Sequence, residues 1–192
     1  NDFIISNFIK NRETTYIFLS TRKVYKSKAN IKENSKLLPK SNYAKNKLKT
    51  KKNFSKFGQL IDTSKKNPIN INDGYAKRFD NLINIDTSKK RGKAIVSIFK
   101  AKKRSFPMRI DMMEKHPFGS QAFIPMNDTK FLVFVAPRGN KPDINKIQSF
   151  VVPKQAGVNY KAGIWHFPLI SMKNMNFLVI DRKGKGNNLV IY

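Results

Sequence analysis

From about residue 53 onward, short apolar runs alternate with Gly, Pro, Asn and Asp at close intervals, the pattern of an all-β sandwich or barrel. The runs predict strands over residues 94–100, 121–126, 131–137, 149–152, 164–170 and 177–181. Residues 131–136 are apolar at every position, which predicts a central strand with material packed on both of its faces. No helical period persists for three turns, and there is neither an internal repeat nor a low-complexity tract. The first 52 residues differ in character. Residues 14–20 (TTYIFLS) are β-branched and aromatic and predict a short buried strand, after which the chain turns polar up to Glu33. The expected organisation is therefore a mainly β domain over 53–192 carrying a short α/β appendage over 1–52.

Composition narrows the chemistry. The 192 residues are two-fifths hydrophobic and include fifteen Phe, enough for a packed core, and there is no Cys. Disulfides, thiolate metal ligands and a Cys nucleophile are excluded. The longest apolar run, 131–136, falls far short of the roughly 18 to 20 residues that span a bilayer. The N-terminus has neither a basic n-region nor an apolar h-region, so no signal peptide is read there, and a soluble cytoplasmic protein is the default. It also lacks an initiator Met, as a processed chain or a piece of a longer reading frame would.

Net charge is +27, which raises the question of nucleic-acid binding by counterion release. The excess is spread out: 14 basic and 3 acidic side chains in residues 1–52, and 25 and 9 in residues 53–192. Arg, the usual phosphate fork, occurs only eight times among abundant Lys, Asn and Ile. A solvated surface in an AT-rich codon background explains the charge better than a nucleic-acid site. No Lys stripe interleaved with aromatics is present.

In the first segment, Ser20, then Leu37-Leu38-Pro39, then Tyr43 and Lys47 stand in an order that resembles part of an extended short-chain dehydrogenase or epimerase. The four-residue spacing puts Tyr43 and Lys47 on one helical face, where an ammonium lowers a phenol's pKa. With no Gly-rich phosphate turn and no preceding βαβ unit, dinucleotide chemistry is not expected from this piece.

The second segment carries a longer set of motifs. Phe57-Gly58-Gln59-Leu60-Ile61-Asp62 is followed by Ile71-Asn72-Asp73-Gly74, Arg78-Phe79 and Leu82. Then come Glu114-Lys115-His116-Pro117-Phe118-Gly119-Ser120-Gln121-Ala122-Phe123-Ile124-Pro125, Lys141-Pro142-Asp143, Gly157-Val158-Asn159-Tyr160, Trp165-His166 with Pro168-Leu169, and Phe177-Leu178-Val179-Ile180-Asp181-Arg182. In this order, across residues 54–188, they resemble the ureidoglycolate lyase family. The resemblance implies a cupin-like β-barrel, commonly a homodimer, that releases urea from ureidoglycolate and leaves glyoxylate late in allantoin degradation. Two departures stand out: Phe167 where the family tends to have a second His, and Lys115 where Arg is usual. The ending Asn187-Asn188-Leu189-Val190-Ile191-Tyr192 also departs from a more acidic family ending.

Such a cleavage needs a cation for the carboxylate, a base for the hydroxyl, and an acid or Lewis acid for the urea leaving group. The only two histidines, His116 and His166, both lie within the motifs and titrate in the useful range. Glu114 lies two residues before His116, on the same side of an extended chain, where the two can share a proton or a metal; the alternative is a Glu114 paired with a surface Lys. Asp181 shares a strand face with Phe177 and Val179, which makes it a buried anion in search of a partner, either an Arg or a reacting group. Gln121 alternates with Phe123 and either orients substrate or makes a cross-strand hydrogen bond. Arg78 is the leading carboxylate anchor, since a guanidinium grips a carboxylate with two parallel bonds. Tyr160 and Lys161 are secondary candidates for hydroxyl or carboxylate contacts.

No cofactor is required by the sequence. The resemblance suggests a divalent metal, nickel, but two His cannot supply the three-His-plus-Glu set usual in cupins. A mixed site on His116 and His166, with Glu114 or Gln121, would bind more weakly. The expected partners are the small-molecule substrate and a second subunit, with no nucleic acid and no membrane. An inactive composite, in which the first segment is a remnant of gene truncation or fusion, is the alternative to a working lyase.

Overall fold

The computed structural model describes residues 54–63 and 66–192. The strand expected over 14–20 and the Tyr43–Lys47 pair lie outside the described residues.

Thirteen strands are described: β1 (Gly58–Ile61), β2 (Ile69–Ile71), β3 (Ala76–Arg78), β4 (Lys93–Ala101), β5 (Glu114–Lys115), β6 (Gln121–Pro125), β7 (Phe131–Ala136), β8 (Gln148–Val152), β9 (Gly157–Tyr160), β10 (Trp165–His166), β11 (Ile170–Ser171), β12 (Met175–Lys183) and β13 (Val190–Ile191). One sheet runs in the order β1-β9-β6-β12-β4. In a second, β7 pairs with β8 on one side and with β10 and β11 on the other, and β5 and β13 follow β10. A separate ribbon pairs β2 with β3. The expected mainly β class holds. Among the described residues, hydrogen bonding gives open sheets rather than one closed ring.

Alternation on the strands builds the core. On β12, Phe177 and Val179 are fully buried while Asn176 between Met175 and Phe177 is exposed. They join Phe123, Val158, Phe131, Val133 and Val135 in one cluster, with Phe177 edge-on to Phe131 at 5.0 Å between ring centroids. Every residue of β7 is buried, as its unbroken apolar run predicts. Leu132 and Phe134 point away from that cluster and pack with Phe167, Ile170, Met108, Ile110 and Met112. The irregular chain between β4 and β5 supplies these methionines and Ile110, and so covers the outer side of β7.

β10 and β11 are one line of pairing against β7, interrupted once. His166 pairs with Val135 and Phe167 N–H donates to Phe134 O, but Ile170 pairs with Leu132, one residue out of step. The extra residue falls at Pro168-Leu169, and Pro cannot donate to the ladder, so the bulge sits where a donor is missing.

Arg182, next to Asp181, points to the other face of β12 and does not pair with it. Its guanidinium is buried and donates to the carbonyls of Lys89 (2.9 Å) and Lys185 (3.1 Å). Gly119 lies against this side chain so closely that a Cβ there would stand 2.7 Å from Arg182 Cβ, which accounts for a Gly in the turn before β6. No helix among the described residues is long and apolar enough to cross a membrane.

Candidate active site

Short β5 puts Glu114 and His116 on the same side of the chain, and pairing with β10 sets His166 opposite Glu114. A two-residue strand is held in register by neighbours on both flanks. β10 lies on one side; β13 lies on the other, with Val190 opposite Lys115 and Ile191 opposite Glu114. Lys115 alternates outward, where its ammonium sits 4.4 Å over the buried Trp165 ring and bonds to Gly139 O. Facing this side, the other sheet presents Tyr160 on β9 opposite Gln121 on β6, with Asp181 on β12 one step beyond the Ala122–Ile180 pair.

Glu114, His116 and His166 offer one donor atom each within 4.8 Å of one another. Glu114 Oε1 lies 3.4 Å from His166 Nε2 and 3.9 Å from His116 Nε2. Both separations are long for a charge-assisted hydrogen bond. The rings themselves are 5.3 Å apart, and Tyr160 stacks on His166 at 4.4 Å and 16°.

The opposite ring nitrogens fix the tautomers. His116 Nδ1 lies 2.8 Å from Asn188 O and His166 Nδ1 lies 3.0 Å from Ile164 O. A carbonyl only accepts, so each Nδ1 carries a proton, and Nε2 is the atom that each ring turns toward Glu114. Four of the six buried side-chain polar atoms without a partner among the described residues belong here: His116 Nε2, His166 Nε2, Gln121 Oε1 and Asp181 Oδ1. Buried lone pairs left open on one small region call for a bound group. Two Nε2 atoms and a carboxylate, with each Nδ1 tied to a carbonyl, form the donor arrangement typical of a divalent-cation site, so the residues fit such an ion.

The two carboxyls are driven apart. Contact with His166 holds Glu114 below its ordinary carboxylate range, helped by the potential of both imidazoles and opposed by burial. Burial pushes Asp181 the other way, only partly offset by hydrogen bonding from Gln121 and by His116. Burial also lowers His116, as does the neighbouring His166, while the Asn188 carbonyl bond and Glu114 pull it back. The Tyr160 phenol is pushed up by burial and by Glu114, so it stays protonated. Two carboxyls displaced in opposite directions, both interacting with His116, suit a division of acid and base roles.

A cavity of about 480 Å³ opens to Glu114 between Phe99, Phe123 and Leu169, with Lys103 and Arg104 on its wall. The backbone N–H of Arg104 bonds to Ser171 O, and its guanidinium lies 5.3 Å over the Phe167 ring. Phe167, one of the two departures noted in the motif, is therefore the ring that seats an Arg at this opening. A second cavity, of about 400 Å³, lies between β1 and β8 and has mainly apolar walls.

The structure thus gathers Glu114, His116, His166, Gln121, Tyr160 and Asp181. It does not bring in two other candidates. Arg78 lies in the separate β2–β3 ribbon, half-exposed and paired with Asp80 at 3.0 Å. Lys161 follows inward-facing Tyr160 and so points outward, where it bonds to Ser55 O and borders the second cavity. Asn188 and Arg104 were not singled out by sequence. Asn188 meets His116 through its backbone carbonyl, for which no residue-type signal exists.

The profile of the family described as ureidoglycolate lyase matches residues 42–192. Among curated proteins, one named "Ureidoglycolate lyase" from Pseudomonas aeruginosa (strain LESB58) is 44% identical over 140 residues, covering 72% of this chain and 83% of the relative. Proteins of the same name from Pseudomonas fluorescens (strain Pf0-1) and Pseudomonas syringae pv. syringae (strain B728a) are 42% and 43% identical over 140 residues, with 72% of this chain covered and 84% and 82% of the relatives. The profile begins at residue 42 and so includes Tyr43 and Lys47, which the motif order alone assigned to the appendage. The chain belongs to the ureidoglycolate lyase family.

Proposed function

We propose that this protein cleaves ureidoglycolate to glyoxylate and urea, within the allantoin branch of purine breakdown. The observation that carries the reading is the convergence of two imidazoles on the carboxylate of Glu114, which itself lines an open cavity, with Asp181, a carboxyl of raised pKa, within electrostatic reach of His116. Relatives named for this reaction support it.

Glu114, His116 and His166 would hold a divalent cation, nickel by family resemblance, which supplies Lewis acidity toward substrate oxygen when bound. Asp181 takes the proton of the substrate hydroxyl. The C–O electrons then form the aldehyde carbonyl, the C–N bond breaks with its electron pair going to the urea nitrogen, and the proton is returned to that nitrogen. No proton is gained or lost overall, so one carboxyl with a raised pKa is enough to shuttle it. Gln121, whose amide is buried beside Asp181, orients the substrate, and the protonated Tyr160 phenol, stacked on His166, offers a donor.

Arg104 and Lys103 at the cavity wall supply positive charge for the substrate carboxylate, a role that Arg78, already engaged with Asp80, fills less well. Arg104→Ala is expected to raise KM about tenfold or more with a smaller change in kcat, as loss of a charged hydrogen-bonding partner does. Steady-state kinetics check this; an unchanged KM would return the role to Arg78.

A homodimer is proposed through the outer face of the β1-β9-β6-β12-β4 sheet. There Val96 and Ile98 are exposed beside Ile180 and Leu178, forming an apolar strip that water alone would cover unfavourably. The +27 charge does not favour a nucleic-acid protein over a lyase of this family, because the interior groups have no use in such a role.

Purified protein given (S)-ureidoglycolate should release urea and glyoxylate in equal amounts. Ammonia in place of urea would identify a hydrolase acting on the same substrate, and neither product would favour the inactive composite.

A further inference from the structure

Asn188 makes two bonds of 2.8 Å to one turn. Its carbonyl accepts from His116 Nδ1, and its side-chain Oδ1 accepts from the backbone N–H of Phe118. Pro117, between them, has no N–H to offer, and besides these two bonds the turn after β5 is tied by Gly163 N–H donating to His116 O at 2.8 Å, which leaves the His116 ring itself to Asn188. Directly beyond it, β13 pairs with β5 at Lys115 and Glu114, and Met113 and Tyr192 exchange two backbone bonds of 2.9 Å. The last five residues therefore touch the chain at Met113, Glu114, Lys115, His116 and Phe118, a run that contains two of the three converging donors.

These residues add little to the core. Leu189, Val190, Ile191 and Tyr192 are all exposed, and none joins a hydrophobic cluster. Apart from the edge-on contact of Tyr192 with Trp165 at 6.4 Å, their bonds are directed at backbone and at one ring nitrogen, so what they contribute is mainly placement.

We infer that residues 188–192 are a positioning clamp for the active site, with Asn188 fixing the Nδ1–H tautomer and the orientation of His116 so that Nε2 faces Glu114. The clamp rests on the reading of Glu114, His116 and His166 as one site. A ring with its Nδ1 proton engaged has a single neutral form that leaves Nε2 free. Released from Asn188, the ring samples both tautomers and rotates, and the donor set loses its geometry.

The test uses the full chain labelled with ¹⁵N-histidine, at a pH where the rings are neutral and with chelator present. With only two histidines, a His116→Gln control assigns the spectrum. In the unaltered protein His116 should show one tautomer, protonated at Nδ1. In a chain ending at Asn187, which loses the carbonyl, it should show a mixture, and Ni²⁺ titrated alone should bind about 10- to 100-fold more weakly; Asn188→Ala, which keeps the carbonyl but loses the Oδ1 tie to Phe118 that aims it, should shift both readings the same way by less. Tm should change little, and Asn188→Asp, which keeps the acceptor for Phe118, should restore both readings. A His116 tautomer unchanged in both altered chains would overturn the clamp, as would failure of the Asp variant to restore it. The tautomer readout needs neither substrate nor metal, so a protein that shows these shifts but releases no urea would defeat the lyase reading while leaving the clamp standing.

Discussion

Glu114→Gln should lower kcat/KM by about 10²- to 10⁴-fold, the range for loss of a positioned ionisable group, with KM changed much less. The change keeps shape, removes the charge and turns one acceptor oxygen into an NH2 donor. Glu114 is held ionised below its ordinary range by His166 and His116, so its negative charge is present throughout the neutral region. It is also the one group that faces both Nε2 atoms. A neutral amide there removes the anion that both Nε2 atoms face. Stability should move with it. A carboxyl whose folded pKa is depressed stabilises the fold above its unfolded pKa and loses that contribution as pH falls through the folded value. Glu114→Gln should therefore lower Tm modestly near neutral pH, and the difference should vanish in acid. Parallel melting curves over pH check this.

Asp181→Asn should remove activity to a similar extent and shift stability in the opposite direction. Burial raises the Asp181 pKa, so at neutral pH the folded state carries a charge that it disfavours. That penalty is present above the raised value and disappears as pH drops below the ordinary aspartate range. The Asn variant should thus melt higher than the parent near neutrality and equal to it in acid. Stability gained where activity is lost is the pattern of a residue retained for chemistry. In the parent enzyme, activity should fall on the acid side at a pH above ordinary aspartate titration, because Asp181 must be ionised to take the hydroxyl proton. An Asp181→Asn protein with near-parental turnover would remove Asp181 from the mechanism.

Much of this site could be read from alternation. Phe177, Val179 and Asp181 share a face, as do Gln121 and Phe123, and Glu114 with His116; the strands keep each of these groupings. The same rule, applied to Tyr160 and Lys161, shows why only the first turns inward. The larger strands were legible because their apolar runs are long. β5, β10, β11 and β13 have two residues each and no pattern of their own. They exist because neighbours supply hydrogen bonds, a tertiary effect that residue type does not encode. For that reason the pairing of Glu114 with His166 could not be foreseen from spacing, whereas the identity of both could.

Arg78 illustrates the opposite case. A guanidinium inside a strong motif is chemically apt for a carboxylate, yet its neighbour Asp80 offers one two residues away. Arg104 lies in the Lys-rich stretch of residues 100–104, where charge alone makes no residue stand out. Its distinction comes from the backbone tie to Ser171 and from the Phe167 ring beneath it. Both are contacts between segments more than sixty residues apart.

The direct test of the account is a crystal structure of the protein soaked with glyoxylate, the product that keeps the carboxylate. Glyoxylate should lie in the cavity that opens to Glu114, its aldehyde oxygen directed at Glu114, His116 and His166 and its carboxylate toward Arg104. Glyoxylate bound instead at the β2–β3 ribbon or in the cavity beside Lys161, with those three residues untouched, would contradict it.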